Sequence, residues 1–108
     1  MKVSQIKEKL NLEYVVQSDN EAVSGYASDL LSVVMGKVKP QSVWLTVQTH
    51  KNIVAVAKMA DISAIVICDG FSPDDDTVEA AQKENIPILK TDKGVFEIAG
   101  MLYESGIR

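Results

Sequence analysis

Ile62-Ser63-Ala64-Ile65-Val66-Ile67-Cys68 is a nearly unbroken apolar run that ends at the turn pair Asp69-Gly70. It is short for a helix and led by β-branched side chains, so it predicts a strand buried on both faces. Upstream, Ser42 to Gln48 reads as a second strand and Thr49 to Ala60 as the helix joining them. Downstream, Ser72-Pro73-Asp74-Asp75-Asp76 reads as a helix start. Ser72 is the expected N-cap, Pro73 the first helical residue, and the acids lie at the positive end of the dipole. That helix runs to about Glu84, followed by a strand over Ile86 to Lys90 and a helix over Thr91 to Tyr103. Strands alternating with helices require parallel crossovers. The expected fold is α/β, a three-layer sandwich with a mostly parallel central sheet.

The first third of the chain is less regular. Ser4 to Leu10 carries Ile6 and Leu10 at helical spacing, with Ser4 as the expected N-cap. Leu12 to Gln17 is rich in β-formers, Ser18-Asp19-Asn20 is a turn, and Ala22 to Ala27 predicts another strand. Gly25 within it permits the close approach of another backbone. Leu30 to Met35 predicts a short helix closed by Gly36.

The totals bound the function. A chain of 108 residues with 46% hydrophobic and 24% charged residues predicts a single globular domain over 1–108. Residues 1–54 carry six Lys and five acids, whereas residues 55–108 carry four Lys and one Arg against ten acids. No basic stripe appears, which argues against nucleic acid as a partner. Cys68 is the single cysteine, so neither a disulfide nor a Cys-based metal site is expected. No apolar run approaches the ~20 residues needed to span a bilayer. The expectation is a cytoplasmic protein with no membrane partner and no cofactor.

An internal echo accompanies the alternation. Residues 49–59 (Thr-His-Lys-Asn-Ile-Val-Ala-Val-Ala-Lys-Met) align with residues 91–101 (Thr-Asp-Lys-Gly-Val-Phe-Glu-Ile-Ala-Gly-Met). Thr, Lys, Ala and Met coincide, and each copy follows a strand and opens a helix. The plain interpretation is that each Thr caps its helix. The sharper one is that both junctions line one crevice.

Gly25-Tyr26-Ala27-Ser28-Asp29-Leu30-Leu31-Ser32 and Gln48-Thr49-His50-Lys51-Asn52-Ile53-Val54-Ala55-Val56-Ala57 are more distinctive. With Ala64 to Ile67, Ile86 to Leu89 and Glu97 to Gly100, they make the chain resemble the DRTGG domain family over nearly its whole length. The name-giving motif departs from the pattern. Asp19 and Gly25 remain, but Asn20-Glu21-Ala22-Val23-Ser24 stands where the family carries its Arg, Thr and first Gly. The resemblance implies a fold like the N-terminal domain of HPr kinase/phosphorylase. It also implies kinship with modules of phosphotransacetylases and of regulatory pyrophosphatases that carry nucleotide-sensing CBS domains. A kinase of that type requires a Gly-x-x-x-x-Gly-Lys-Ser/Thr loop, and no such run occurs here.

Catalytic groups are sparse. His50 is the single histidine and Cys68 lies in a buried-looking strand, so no nucleophile–base pair is expected. Asp74-Asp75-Asp76 occupies three consecutive helical positions, which do not converge on a cation. Trp44 alternates with Val43 and Leu45 and is expected in the core. What remains is the crevice at the carboxyl ends of the strands, where open parallel sheets bind ligands beside a change in strand order. Ser28, Asp29, Gln48, Thr49, His50, Asn52, Asp69, Gly70 and Thr91 fall there and are the candidate ligand-binding residues. Asp92 and Lys93 stand beside them.

Two segments, Leu30 to Met35 and Ile53 to Ala60, are apolar nearly all round, more than one core face needs. They predict a homodimer. The sequence thus supports a non-catalytic regulatory module that binds a small phosphate-bearing ligand or a partner protein. The alternative is a purely structural protein–protein interaction domain whose polar strand ends only cap and turn.

Overall fold

A computed structural model describes residues 1–108. Helix α1 (Val3–Leu10) precedes β1 (Glu13–Val16), and β2 (Ser24–Ala27), α2 (Leu31–Lys37), β3 (Ser42–Thr46), α3 (Asn52–Met59) and β4 (Ala64–Ile67) follow. The chain ends with α4 (Asp75–Glu84), β5 (Ile88–Lys90) and α5 (Val95–Glu104). The strands form one sheet in the order β1-β5-β4-β3-β2. All neighbours are parallel except β1, which runs antiparallel to β5.

The central strands are apolar throughout because each of their faces meets a helical layer. Val43 and Leu45 of β3 and Ala64 and Val66 of β4 pack with α1 and α5, through Val3, Ile6, Leu10, Ile98 and Leu102. Trp44, Ile65 and Ile67 point the other way, onto Val34, Ile53, Val54, Ala57 and Ala81 of α2, α3 and α4. Each large side chain fully removed from water contributes about 1.5–3 kcal/mol, so the two cores together carry most of the stability. Trp44 is completely buried, and its Nε1–H donates to the Ser28 carbonyl at 2.8 Å.

Several local expectations change. Helix α1 is capped at Lys2, not Ser4; the Lys2 N–H donates to Gln5 Oε1 at 2.8 Å. Ser4 instead gives its hydroxyl and its N–H to the Asp19 carboxylate, at 2.8 and 3.0 Å, tying α1 to the loop before β2. Helix α4 is capped at Asp74, two residues beyond Ser72, because the Asp74 N–H is drawn to the Thr49 carbonyl at 3.1 Å. The Ser72 hydroxyl accepts from Lys90 Nζ. Neither echoed Thr is a cap, since α3 begins at Asn52 and α5 at Val95. Thr91 Oγ1 accepts the Lys93 N–H in a local turn, and the Thr49 carbonyl also accepts Thr77 Oγ1. At Gly25 the close neighbour is a side chain rather than a backbone: a Cβ there would stand 3.1 Å from Leu102 Cδ2 of α5.

Candidate functional site

The carboxyl ends of β2, β3, β4 and β5 bring the nine candidate residues to one edge of the sheet, but in separate groups. Order explains why. From β2 to β5 the chain advances one strand at a time in one direction, and α2, α3 and α4 all lie on the same face. The strand order never reverses among the parallel strands, so the cleft expected at a change of order has no counterpart here.

The first group joins β2 to β3. Asp29 Oδ1 accepts from Thr46 Oγ1 at 2.8 Å and from the Val47 N–H at 2.9 Å. Gln48 Nε2 donates to the Asp29 carbonyl at 3.0 Å, and the Gln48 N–H donates to Thr46 Oγ1 at 3.1 Å. Ser28 accepts twice, its hydroxyl from the Leu30 N–H and its carbonyl from Trp44. Thr46 is fully buried. These bonds fasten the segment leading into α2 to the end of β3.

His50 and Asn52 form the middle of the edge. Both are exposed, and His50 Nδ1 lies 3.4 Å from Asp74 Oδ2, at the start of α4. The acids Asp74, Asp75 and Asp76 are exposed around that helix start, as dipole-favoured residues are.

The third group joins β4 to β5. Asp69 and Gly70 both adopt left-handed backbone, with φ of 61° and 76°. Their N–H groups donate to the Lys93 and Thr91 carbonyls at 2.9 and 3.0 Å, which locks the two loops together. A Cβ at Gly94 would stand 3.4 Å from Asp69 Oδ1, so that carboxylate lies beside the start of α5. A cavity of about 230 Å³ opens here between Asn11, Glu13, Gly70, Lys90, Thr91 and Lys93, with Asp92 completing it. It unites only Gly70 and Thr91 of the candidate residues. Lys90 is engaged by Glu13 at 3.4 Å. The lining is mixed in charge, and a carboxylate stands near the start of α2, α4 and α5. An anion approaching these helix starts meets a negative charge already in place.

Cys68 ends the chemistry. It is buried, and burial, reinforced by the Asp69 and Asp29 charges, pushes its thiol up to about 11. A thiol held protonated is a poor nucleophile.

One cavity was not signalled by any polar motif. About 250 Å³ lies between β2 and α5, walled by Gly25, Ala27, Leu45, Ala99 and Leu102, with Tyr103 and Arg108 at its rim. The Arg108 guanidinium stacks 4.2 Å from the Tyr103 ring centre. Its sequence signal was Gly25 alone, which lets α5 sit close to the strand.

No helix is long and apolar enough to cross a membrane. Comparison with curated proteins found no match. Four chains of solved structures match. One is the crystal structure of the CBS and DRTGG domains of the regulatory region of Clostridium perfringens pyrophosphatase, complexed with its activator diadenosine tetraphosphate. It superposes with a TM-score of 0.70 at 14% identity, over 95% of this chain and 46% of that one. The fold is therefore shared, and this chain spans less than half the length of that structure. The DRTGG domain profile matches residues 5–105, and with that coverage the chain belongs to the DRTGG domain family.

Proposed function

We propose that this chain is a non-catalytic regulatory module that works by docking, as a homodimer and onto a partner protein, in the cytoplasm. The observation that carries this reading is the mutual hydrogen bonding of groups at the strand ends. Asp29, Thr46 and Gln48 bond to one another, and Asp69-Gly70 bonds to the Thr91–Lys93 loop, so these residues do structural work. The chemistry agrees. The single His is 76% exposed and paired with Asp74, and the single Cys is buried and protonated. The pyrophosphatase relative carries its DRTGG domain in a regulatory region, which supports a regulatory rather than a catalytic role.

A second reading has its own support. The pyrophosphatase region is bound to a nucleotide activator, and the cavity at Gly70 and Thr91 presents Lys90 and Lys93. A small phosphate-bearing ligand would sit there, against the acids around it. Amide chemical shifts followed during titration with ATP and with inorganic phosphate separate the two. Docking predicts no saturable shifts at 48–52, 69–70 or 91–95. Saturable shifts there, abolished by Lys93→Ala, would replace docking with ligand sensing.

A further inference from the structure

Strand β2 is an edge of the sheet, and nothing in the chain pairs with its outer side. A parallel ladder engages every second residue of a strand. The Ser24 N–H donates to the Gln41 carbonyl and the Ser28 N–H to the Leu45 carbonyl, so the even-numbered residues face β3. The N–H and C=O groups of Gly25 and Ala27 therefore point outward, and both residues are exposed. Exposed edges are ordinarily blunted by Lys, Pro, a bulge or a covering segment. Ser24-Gly25-Tyr26-Ala27 carries no Lys, Pro or bulge, and its register with β3 is regular. The C-terminal Ile107 and Arg108 meet it at its start, where the Ser24 hydroxyl donates to the Arg108 carbonyl at 3.2 Å.

The surface beside this edge is apolar on both sides of the sheet. Of the seven exposed large hydrophobic side chains, Val23 lies on the segment entering β2, Leu30 at the N-cap of α2, Met35 on α2, and Phe96 and Tyr103 on α5. Phe96 is 94% exposed and Tyr103 61%. They stand seven residues apart on one face of α5, with Ala99 between them, and Ala99 and Tyr103 line the cavity that opens at β2.

We propose that β2 is the twofold edge of a homodimer, with two copies of β2 pairing antiparallel to give one continuous sheet. The proposal rests on the docking reading above and names the partner as a second copy of this chain. Antiparallel pairing about a twofold gives each free N–H of Gly25 and Ala27 a carbonyl of the same edge in the other copy. The spacing also suits the helices. Helix α5 packs on β2 and β3, and a strand added beyond β2 lies about 4.8 Å out. The twofold midway brings α5 and its copy to about 10 Å, a normal helix-packing distance. The area is sufficient as well. Phe96 and Tyr103 of both copies cover about 500–800 Å² between them. Val23, Leu30, Met35 and the strand edges bring the total toward the ~1,200 Å² at which specific interfaces begin.

The test joins molar mass by sedimentation with amide exchange on the full chain. The wild type is expected at twice 11.8 kDa at micromolar concentration. Ala27→Lys, which sets like charges across the axis, and Phe96→Glu are each expected at 11.8 kDa with unchanged Trp44 fluorescence. The Gly25 and Ala27 amides, which lack an acceptor in their own chain, are expected to exchange slowly in the dimer and quickly in both variants. A dimer whose Gly25 and Ala27 amides exchange freely, or that survives both substitutions, overturns the edge assignment and leaves docking standing. A wild type that is monomeric at high micromolar concentration overturns the homodimer itself.

Discussion

Asp29 Oδ1 and Thr46 Oγ1 meet at 2.8 Å across the loop that joins β2 to α2, with the Thr46 side chain fully buried. The carboxylate is held at the end of β3 by that hydroxyl and by the Val47 N–H. The pair makes the polar strand ends part of the fold, and the account of this protein turns on it.

Asp29→Ala is therefore expected to lower stability by about 1–2 kcal/mol, the cost of leaving a buried hydroxyl and a backbone N–H without their acceptor. Thr46→Val should cost about 1 kcal/mol. Because the two groups share one interaction, the double variant should lose less than the sum. Denaturant midpoints measured for the four proteins check this. Strict additivity would mean that the contact contributes nothing.

Trp44 fills the core under α2 and α3 and also holds the Ser28 carbonyl. Trp44→Phe keeps most of the volume but removes the N–H, with an expected loss of about 1–3 kcal/mol. In a domain of this size that lowers the thermal midpoint by roughly 4–8 °C per kcal/mol. Calorimetry on the variant checks it, and an unchanged midpoint would show that the Ser28 contact is dispensable.

Most of the architecture was legible in the sequence, for a physical reason. Strands buried on both faces, such as Ile62 to Cys68, become short β-branched apolar runs bounded by turn residues such as Asp69-Gly70, so order and type could be read directly. The cap positions were not legible. Ser4, Ser72, Thr49 and Thr91 are all good caps in isolation, but Asp19 and Lys90 engage the Ser4 and Ser72 hydroxyls. Thr91 Oγ1 accepts the Lys93 N–H in a local turn, and α3 begins only at Asn52, three residues beyond Thr49. The candidate residues lie at the carboxyl ends of the strands, yet the bonds that tie Asp29 to Gln48 and the Asp69 turn to Thr91 depend on Thr46 and on paired loops that sequence alone does not align. The open side of β2 was hidden for a similar reason: which strand lies at an edge is set by sheet order, not by composition.

The Ser4–Asp19 contact makes a prediction about acid. Hydrogen bonds from the Ser4 hydroxyl and N–H hold the Asp19 carboxyl below its ordinary value of 3.8. A depressed folded value stabilises the protein above the unfolded value, and that contribution disappears as pH falls through the lowered one. Stability should thus decline below about pH 4, and Ser4→Ala should remove part of that decline. Urea midpoints between pH 7 and pH 2.5, compared for the two proteins, measure it. Parallel pH profiles would show that Ser4 does not set the Asp19 value.

Cys68 predicts the opposite limb. Its thiol is raised from 9.0 to about 11, first by burial and then by Asp69 and Asp29. The unfolded chain loses this proton sooner than the folded one, so stability should fall as pH rises from 9 toward 11. At pH 8 the folded protein should resist thiol-specific reagents and become reactive only in denaturant. Rapid labelling of the native protein would contradict the buried placement.

Thermal unfolding against a panel of nucleotides, dinucleoside polyphosphates and acyl phosphates addresses the central claim most directly. A ligand present at 100 times its dissociation constant adds about 2.7 kcal/mol, which in a domain of this size moves the midpoint by more than about 10 °C. With Asp29, Thr46 and Gln48 bonded to one another and the Asp69-Gly70 turn locked to the Thr91–Lys93 loop, the account predicts a flat panel. A concentration-dependent rise of that size with any one ligand would contradict it and make the strand-end crevice a sensor.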